Sequence, residues 1–463
     1  MDKNYYITTP IYYPSARPHM GHAYSSIVAD FFARFKRIDG FNVHFLTGTD
    51  EHGLKIQRAA ERKKIDPQTF CDEISQTFRD LSKTLNLSNT DFIRTTEERH
   101  KKTVQHLWNE LEKNDDIYLS KYSGWYSVSD EAYYSDEETS EKENVKIATS
   151  SGSPVEWIEE ESYFFRLSKW QDELLNYYEK NPDFISPKSR KNEVISFVKG
   201  GLKDLSISRK AFSWGIKVPN SQDHVIYVWL DALTNYISAL NYPDTNDELF
   251  KKFWPASVHL IGKDILRFHS VYWPAFLMAA KIPLPKKVYG HGWILSGDEK
   301  MSKSKGNILD PLDIIEIYGL DPLRYYLIKE VSFGNDGNIS QDRLEDCINS
   351  DLANNYGNLC QRVTSFAEKN CSSLVPDNTK FNDDDFVMLN KFTDNLVSIR
   401  TEIDNQNINY YINFIVSALF EANKYFNDQE PWKKKDDKDR LNTIVYTSLE
   451  VIRKISFMLY PII

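Results

Sequence analysis

Two blocks of alternating strand and helix pattern, separated by a long segment of different character, constrain the fold of this chain more than any other feature. In the first block, a β-rich run at residues 5–9 precedes a helical stripe of apolar residues from 22 to 38, and a short strand pattern follows at 43–46. Residues 253–292 repeat this order around an aromatic helical stretch. Separated blocks of this kind predict an α/β fold with one Rossmann-like parallel sheet that is split by an insertion.

The rest of the chain shows two further patterns. Residues 115–219 are acidic and rich in Ser, Tyr and Glu, lack a clear strand–helix alternation, and are predicted to form the insertion from short β pieces and loops. After about residue 341, apolar residues recur at helical spacing in four stripes, which predicts an α-helical bundle. The predicted division is a first half of the sheet domain at 1–114, the connective insertion at 115–219, a second half at 220–325, a connecting segment at 326–344 and the helical domain at 345–463.

Length and charge exclude several classes of protein. A chain of 463 residues is predicted to hold two to four domains, at about 100 to 200 residues each. Because no apolar run approaches the length of a spanning helix, we expect no membrane-spanning segment. With 67 Asp and Glu against 57 Lys and Arg, the net charge of -10 argues against nucleic-acid binding over the whole surface and leaves only a local basic patch for such a partner.

The cysteines and the N-terminal sequence indicate the compartment. Cys71, Cys347, Cys360 and Cys371 are too widely spaced for a disulfide framework and lack the paired C-x2-C spacing of a zinc site. A reducing compartment is therefore expected. Since the first residues contain neither an apolar signal segment nor an Arg-rich leader, the prediction is a cytoplasmic protein.

Polar motifs follow the predicted strands of the first block. The sequence His-Met-Gly-His opens a helix at His19, where unpaired backbone N–H groups and the helix dipole favour an anion, and the imidazoles of His19 and His22 can donate to phosphate oxygens. Gly21 would let a flat base approach the backbone. The alternative is that both histidines only cap the helix. After the second strand, Asp50 and His52 can hold a metal ion, bind an ammonium group or cap the next helix.

Similar motifs follow the strands of the second block. Gly262 and Asp264 come directly after one strand, His269 lies a few residues further on, and His291 ends the last strand. Any one histidine of this kind is more often structural than catalytic. Ligands in an open parallel sheet bind outside the carboxyl ends of the strands, so four polar strand ends together favour a functional site.

A lysine-rich segment supplies the strongest short signal. Three lysines, Lys300, Lys303 and Lys305, are interleaved with the hydroxyls of Ser302 and Ser304 in the sequence KMSKSKG, bounded by Gly297 and Gly306. Flexible ammonium groups between glycine hinges suit a mobile loop that closes on a polyphosphate and follows its charge to the leaving group. The alternative is a solvated basic loop.

The pair HMGH and KMSKS resembles the signature of the class I aminoacyl-tRNA synthetases. The stretches PIYYPSARPHMGHAYS, FLTGTDEHG, YVWLDALTNY, LIGKDILRFH and GHGWILSGDEKMSKSKGN resemble the methionyl-tRNA synthetase family in particular, of the bacterial or organellar type. The similarity extends over essentially the whole chain. The insertion at 115–219 is short beside the large editing insertions of the leucyl, isoleucyl and valyl members of the class.

The resemblance implies the residues that hold ATP. The motif residues His19, His22, Lys300 and Lys303 would be catalytic, with Lys303 stabilising the departing pyrophosphate, and Mg2+ would accompany ATP. The full set implied around ATP is His19, Gly21, His22, Gly262, Asp264, His291, Ile294, Ser302 and Lys303.

The resemblance also implies a methionine pocket. Asp50 would hold the α-ammonium group of methionine, a charge pair inside an apolar pocket. The implied walls are Ile11, Tyr13, Trp229, Ala232, Tyr236 and His269. From the residues alone, Trp229 and Tyr236 lie seven positions apart and would be ordinary helix core.

In the helical domain, the resemblance implies an anticodon-binding surface for tRNA(Met). Asn358 and Arg362 are one helical turn apart, and Trp432 follows Pro431 at a predicted helix break, so that an aromatic ring would stack on an unpaired base while Asn and Arg read base edges. The alternative is a capping Asn, a surface Arg and a docked Trp.

The sequence departs from many family members at two places. Ser127 and Asp130 occupy the positions of a C-x2-C pair that zinc-carrying members have in the insertion, and no second pair follows. We therefore expect no structural zinc. Ser25 stands where some members carry an acidic residue near ATP, and no role is transferred to it.

The implied activity is a two-step acyl transfer with ATP, L-methionine and tRNA(Met) as partners and no membrane. Methionine would react with ATP to give methionyl-adenylate and pyrophosphate, and the terminal ribose of tRNA would then accept the methionyl group. Two alternatives stay open at this point, a nucleotidylyltransferase with the same H-x-G-H motif and a non-catalytic tRNA-binding paralogue. The helical domain and KMSKS argue against the first, and the intact signature residues argue against the second.

Overall fold

The computed structural model describes residues 3–130, 132–142, 145–296, 299–300, 310–331 and 333–463, with the backbone alone for residues 122, 133, 296, 299 and 300. Two compact units make up the chain, Met1–His291 and Gly292–Ile463. The finer division into five segments stays a prediction. In the part of the chain that is described, no helix is both long and apolar enough to cross a membrane.

Strands and helices alternate through the first unit. Its strands are β1 (Asn4–Thr8), β2 (Asn42–Thr49), β3 (Asp91–Arg94), β4 (Ile117–Ser127), β5 (Ala132–Tyr134), β6 (Thr139–Lys142), β7 (Val145–Ala148), β8 (Glu156–Phe165), β9 (Ile185–Ser186), β10 (Leu205–Ser206), β11 (Ser208–Arg209), β12 (Val225–Ile226), β13 (Val258–Gly262) and β14 (Val288–His291). Its helices are α1 (Met20–Ile38), α2 (Leu54–Lys63), α3 (Pro67–Thr84), α4 (Glu98–Lys113), α5 (Gln171–Lys180), α6 (Lys188–Lys199), α7 (Val228–Leu233), α8 (Asn235–Ser238), α9 (Glu248–Phe253) and α10 (Trp273–Ala279).

A six-stranded parallel sheet in the order β3-β2-β1-β13-β14-β9 forms the centre of this unit. Strands from the two predicted blocks meet at its middle, where Thr8 of β1 lies opposite His259 of β13. The predicted α/β fold with a split parallel sheet is confirmed. The apolar stripe predicted for α1 is buried, including Ala23, Ile27 and Phe31.

The segment predicted as the insertion differs from the expected short β pieces and loops. Its first part is antiparallel, built on the long pairing of β4 with β8. The expected lack of strand–helix alternation is wrong for its second part, because β9 lies between α5 and α6 and pairs in parallel with β14. A strand of two residues has no detectable period, so the sequence gives no sign of it.

The second unit is mainly helical. Its strands are β15 (Ile294–Ser296), β16 (Glu299–Lys300) and β17 (Gly337–Ile339), and its α-helices are α11 (Pro311–Tyr318), α12 (Leu320–Glu330), α13 (Gln341–Cys347), α14 (Asn358–Asn370), α15 (Asp383–Asp404), α16 (Ile408–Gln429) and α17 (Lys438–Leu459). A π-helical turn at Ile348–Gly357 joins α13 to α14. The predicted stripes pack inward, as at Val363, Ile399, Ile415 and Ile444, which confirms the helical bundle.

Candidate active site

The polar motifs of the first unit meet at the carboxyl edge of the parallel sheet. The chain after β1 runs beside the end of β2, because the Tyr12 amide donates to the Gly48 carbonyl at 2.9 Å and the Asp50 amide donates to the Tyr12 carbonyl at 2.9 Å. Gly262 and His291 are direct partners at the ends of β13 and β14. This is the edge at which an open parallel sheet binds ligands.

Both histidines of HMGH cap helix α1. The Gly21 amide donates to Nδ1 of His19 at 3.1 Å, and the His19 amide donates to Nδ1 of His22 at 3.0 Å, so the two rings form a capping box. A neutral imidazole that accepts at Nδ1 carries its proton on Nε2. Each ring is therefore a cap at one nitrogen and an N–H donor at the other.

The surroundings of His22 keep it uncharged. Its ring packs against Tyr12 and Phe78, with centroids 4.9 and 5.2 Å away, and lies 3.9 Å from the His19 ring. Burial, together with the neighbouring His19 imidazole, holds the pKa of His22 well below its usual value. Glycine at position 21 leaves room for the capping position of the His19 ring, because a Cβ atom there would lie 2.9 Å from Cε1 of His19.

The second-block motifs and α1 come together around His291. Its Nε2 lies 2.9 Å from the Ser25 hydroxyl, which also donates to the Gly21 carbonyl at 3.2 Å. A Cβ atom on Gly262 would lie 2.5 Å from Oδ1 of Asp264, so only glycine leaves this carboxylate its place beside the strand end. Ser25, to which no role was transferred from the family, thus joins HMGH to His291.

Aromatic side chains line the edge next to these motifs. Trp229 stacks on Phe268 with centroids 3.7 Å apart and planes 4° from parallel, and the His269 ring stands edge-on to Trp229 at 6.2 Å. The Tyr236 hydroxyl lies 2.7 Å from Nε2 of His269. Ile11 and Tyr13 pack against the hydrophobic core that contains Tyr236, and Ala232 is also buried.

The hydrogen bonds of His269 define its tautomer. Nδ1 lies 3.0 Å from the Ile265 carbonyl, which can only accept, so Nδ1 carries the proton and Nε2 accepts from the Tyr236 hydroxyl. Burial lowers the pKa of His269 to about 4, although the Ile265 carbonyl and Asp264 act in the opposite direction. The ring is neutral at neutral pH.

The loop after β2 is anchored at the two residues that follow the buried Asp50. Glu51 is fully buried and accepts from Thr49, Ser75, Thr96 and Arg94, with Nε of Arg94 at 2.6 Å. Nδ1 of His52 lies 2.7 Å from Oδ2 of Asp231, a residue of α7. The two residues that follow Asp50 are therefore both anchored.

Ser127 and Asp130, which stand where zinc-carrying family members have a C-x2-C pair, belong to a hydrogen-bonded cluster in the insertion. Asp130 accepts from the hydroxyls of Tyr134 at 2.8 Å, Ser151 at 2.5 Å and Ser153 at 2.7 Å, and its amide donates to Ser127 at 3.2 Å. Among the described residues, no group of three or more His, Cys, Asp or Glu side chains is arranged to hold a metal ion.

The helical unit gathers two of the three predicted anticodon residues. The Arg362 guanidinium donates to Asn427 and lies 5.5 Å from the Phe426 ring centroid, and the Trp432 ring is edge-on to Phe426 at 6.2 Å. Trp432 is 41% exposed in a short turn between α16 and α17, at the predicted helix break. Asn358 is exposed one turn before Arg362.

Four predicted ATP or catalytic residues belong to the second unit. Ile294 is buried on β15 and pairs with Gly337. The backbone of Lys300 pairs with Leu295, and its side chain lies outside the description. Ser302 and Lys303 lie outside the described residues.

Sequence reasoning missed several residues that shape this edge. Phe268 carries a signal that was available, because it directly precedes His269 in an aromatic motif. His100 and Asp231 carry none, since His100 lies in a run of charged residues and Asp231 is a single acidic residue in an apolar helical pattern. Only the folded chain brings them together, at 2.7 Å.

Comparison with known proteins identifies the family. The family model described as tRNA synthetases class I (M) matches residues 5–364. Methionine–tRNA ligase of Brucella suis is 51% identical over 462 residues, which cover 100% of this chain and 90% of the relative. Methionine–tRNA ligase of Rickettsia conorii is 52% identical over 470 residues, which cover 100% of this chain and 91% of that relative.

Solved structures agree with this match. Mycobacterium tuberculosis methionyl-tRNA synthetase in complex with methionyl-adenylate has a TM-score of 0.97 and 47% identity, covering 99% of this chain and 91% of that one. The apo form of the same enzyme has a TM-score of 0.90 and 44% identity, covering 100% and 90%. The chain therefore belongs to the methionine–tRNA ligase family of the class I aminoacyl-tRNA synthetases.

Proposed function

We propose that the carboxyl edge of the parallel sheet is where this methionine–tRNA ligase forms methionyl-adenylate. A carboxylate oxygen of methionine attacks the α-phosphorus of ATP, and the bond to the β-phosphate oxygen breaks to release pyrophosphate. The 3'-terminal ribose hydroxyl of tRNA(Met) then attacks the methionyl carbonyl, and AMP leaves. Neither step requires a strong protein base, since positioning and charge stabilisation supply most of the acceleration in such transfers.

His19 and His22 are proposed to bind the phosphates. With Nδ1 of each ring engaged in the cap, Nε2 presents an N–H to an anion at the start of α1, where the helix dipole adds to the attraction. Neutral donors suit this task because they keep their geometry as charge moves from the α- to the β-phosphate. Gly21, Gly262, Asp264 and His291 are proposed to surround adenosine, with Ile294 as a further contact.

Methionine is proposed to bind between Asp50 and the aromatic wall. The buried carboxylate of Asp50 suits an α-ammonium group, and the faces of Trp229 and Tyr236 suit a polarizable thioether. The neutral His269 adds no charge to the apolar side of the pocket. Ile11, Tyr13 and Ala232 complete the proposed walls.

The lysines of KMSKS and a Mg2+ ion are proposed to act on the pyrophosphate. Lys300 and Lys303 would neutralise the charge that develops on the leaving group, and Ser302 would donate a hydrogen bond to it. The described residues offer no set of three metal-ligating side chains, which fits an ion held mainly by phosphate oxygens and water. Bound there, Mg2+ would supply charge neutralisation. We further propose that the enzyme works in the cytoplasm without structural zinc.

The capping box of His19 and His22, beside the strand ends of β13 and β14, is the observation that carries this proposal. Exchange of labelled pyrophosphate into ATP tests it. We expect exchange that depends on methionine, with leucine and cysteine inactive. Absence of exchange with methionine, or stronger exchange with leucine or cysteine, would contradict the proposal, because a nucleotidylyltransferase needs its own acceptor for exchange and a paralogue that only binds tRNA shows none.

A further inference from the structure

The Asp231 carboxylate links parts of the first unit that are far apart in sequence. Its Oδ2 lies 2.7 Å from Nδ1 of His52, and its Oδ1 lies 2.7 Å from Nε2 of His100. Asp231 and His100 are fully buried and His52 is 4% exposed. Burial raises the pKa of Asp231, but the charges and hydrogen bonds of the two imidazoles outweigh it, so the pKa lies below its usual value. The carboxylate is ionised and accepts from both rings.

Each member of this cluster belongs to an element that supplies a wall of the methionine pocket or backs one. Asp231 lies between Trp229 and Ala232 on α7, and His52 follows Asp50 by two residues. The hydrogen bond from His52 to Asp231 therefore fixes the distance between the loop that carries Asp50 and the helix that carries the aromatic wall.

His100 extends this link to a third wall. Its Nδ1 lies 2.8 Å from the hydroxyl of Ser238, the last residue of α8, which also carries Tyr236. One imidazole thus connects α7 and α8 from the side of α4. His100 is not among the residues proposed to touch methionine, so an effect of its replacement that is selective for methionine binding would pass through Asp231 or Ser238.

A buried polar cluster at this position has both a cost in stability and a benefit in geometry. Burying a carboxylate costs free energy that apolar packing of the same elements would avoid. Hydrogen bonds, however, fix both distance and angle, and a displacement of about 1 Å in a reacting group can change a rate about a hundredfold. In such a binding site, the side chains that touch the ligand are held in place by hydrogen bonds from residues behind them.

We propose that His52, Asp231 and His100 are positioning residues that set the separation of Asp50 from the Trp229 and Ala232 wall, and thereby the affinity for methionine. This inference rests on the proposed function, because it takes the pocket between Asp50 and Trp229 as the methionine site. The cluster acts on methionine binding and leaves the ATP site, built on α1, β13 and β14, unaffected.

Replacing His100 tests the inference away from the pocket. His100→Leu removes both hydrogen bonds, and we expect the KM for methionine in pyrophosphate exchange to rise about tenfold or more, with the KM for ATP unchanged within about twofold. His100→Gln keeps an N–H that can donate to Asp231 and should restore most of the methionine affinity.

His44→Leu is the matched control. His44 is also a buried imidazole in the first unit, on β2, and its ring bonds to Thr90 rather than to the cluster. We expect this variant to leave both KM values unchanged. A parallel rise of both KM values in His100→Leu, or an equal rise in methionine KM for His44→Leu, would show that His100 acts only through general stability and would overturn the proposal.

Asp231→Asn provides a second test of the positioning role. This test also applies if His100→Leu does not fold. The amide has one accepting oxygen, so only one imidazole keeps its bond, and the methionine KM should again rise while the ATP KM does not. An unchanged methionine KM in this variant would overturn the positioning role. Lack of methionine-dependent exchange in the unmodified enzyme would instead overturn the proposed function itself, which keeps the two failures distinct.

Discussion

At the start of α1, each imidazole serves the helix with one ring nitrogen and presents an N–H with the other. The usual cap residues, Ser, Thr, Asp and Asn, would satisfy the same backbone amides, but their shorter side chains would not place a donor where Nε2 of an imidazole lies. The two interpretations of HMGH from sequence, a helix cap or a phosphate-binding motif, are therefore compatible in one geometry. The capping function also determines the tautomer that phosphate binding requires.

His19→Asn separates these two functions. Because Asn is a good cap, we expect the free energy of unfolding to change by less than about 1 kcal/mol. The loss of the ring donor should lower kcat for pyrophosphate exchange about 100- to 1,000-fold, the usual effect of removing one donor from a developing negative charge. Chemical unfolding and exchange kinetics on the same preparation measure both, and an active His19→Asn enzyme would exclude the donor role.

The residues that sequence analysis located and those it missed differ in one respect. Gly262, Asp264 and His291 lie directly after strands, so knowing that the sheet is parallel is enough to bring them together. His100 and Asp231 are 131 positions apart on two helices, and no local pattern relates them. Ser25 likewise depends on the side of α1 that faces β14.

On the scale of single elements, the turn between α16 and α17 is held by a buried ion pair. Asp385 at the start of α15 accepts from both Arg440 of α17 and Tyr425 of α16, and Arg440 also donates to the Lys380 carbonyl at 3.0 Å and to Gln429 at 2.5 Å. Gln429 is the last residue of α16, so this pair fixes the helix ends that flank Trp432.

Arg440→Ala leaves the Asp385 carboxylate buried without its cation. We expect it to lower the free energy of unfolding of the second unit by about 3 to 5 kcal/mol, as is typical when one partner of a buried pair is removed. Arg453→Ala is the control, since that side chain is 67% exposed beside Glu450 and its pair contributes at most about 1 kcal/mol. Urea unfolding followed by tryptophan fluorescence compares the two, and equal losses would contradict the assignment.

Trp432→Ala removes the exposed ring and leaves the buried pair intact. Loss of stacking on an unpaired base costs about 1 to 3 kcal/mol, so we expect kcat/KM for charging tRNA(Met) to fall roughly 10- to 100-fold. Methionine-dependent pyrophosphate exchange should be unchanged, because the ring lies in the helical unit. Trp157→Ala, which removes an exposed tryptophan of the insertion, serves for comparison. Unimpaired charging by Trp432→Ala would remove this residue from the anticodon surface.

For the whole molecule, buried histidines determine the response to acid. Burial lowers the pKa of His44 and His269 to about 4 from 6.5, and holds the pKa of His22 and His259 well below the usual range. Between about pH 6.5 and 4, the unfolded chain binds protons that the folded chain does not, so stability present above pH 6.5 is lost as the pH falls.

We expect the free energy of unfolding to decrease by roughly 1 kcal/mol for each such histidine between pH 7.5 and 5.5. Urea titrations at the two pH values measure this decrease. In His44→Leu, the decrease should be smaller by the contribution of one histidine. The low pKa of Asp231 acts in the same sense, but only below its ordinary range, outside this window. Stability that is equal or greater at pH 5.5 would contradict the expectation.

The position of β1 in the middle of the sheet has a consequence for how this enzyme is made. β1 ends at Thr8, whereas β13, its partner on one side, ends at Gly262. A ribosome that adds about 5 to 20 residues per second needs roughly 10 to 50 s to cover that interval. During translation the β1-β2-β3 half therefore presents an unpaired central edge, the kind of surface on which nascent chains associate, and chaperones would have to protect it until the second block emerges.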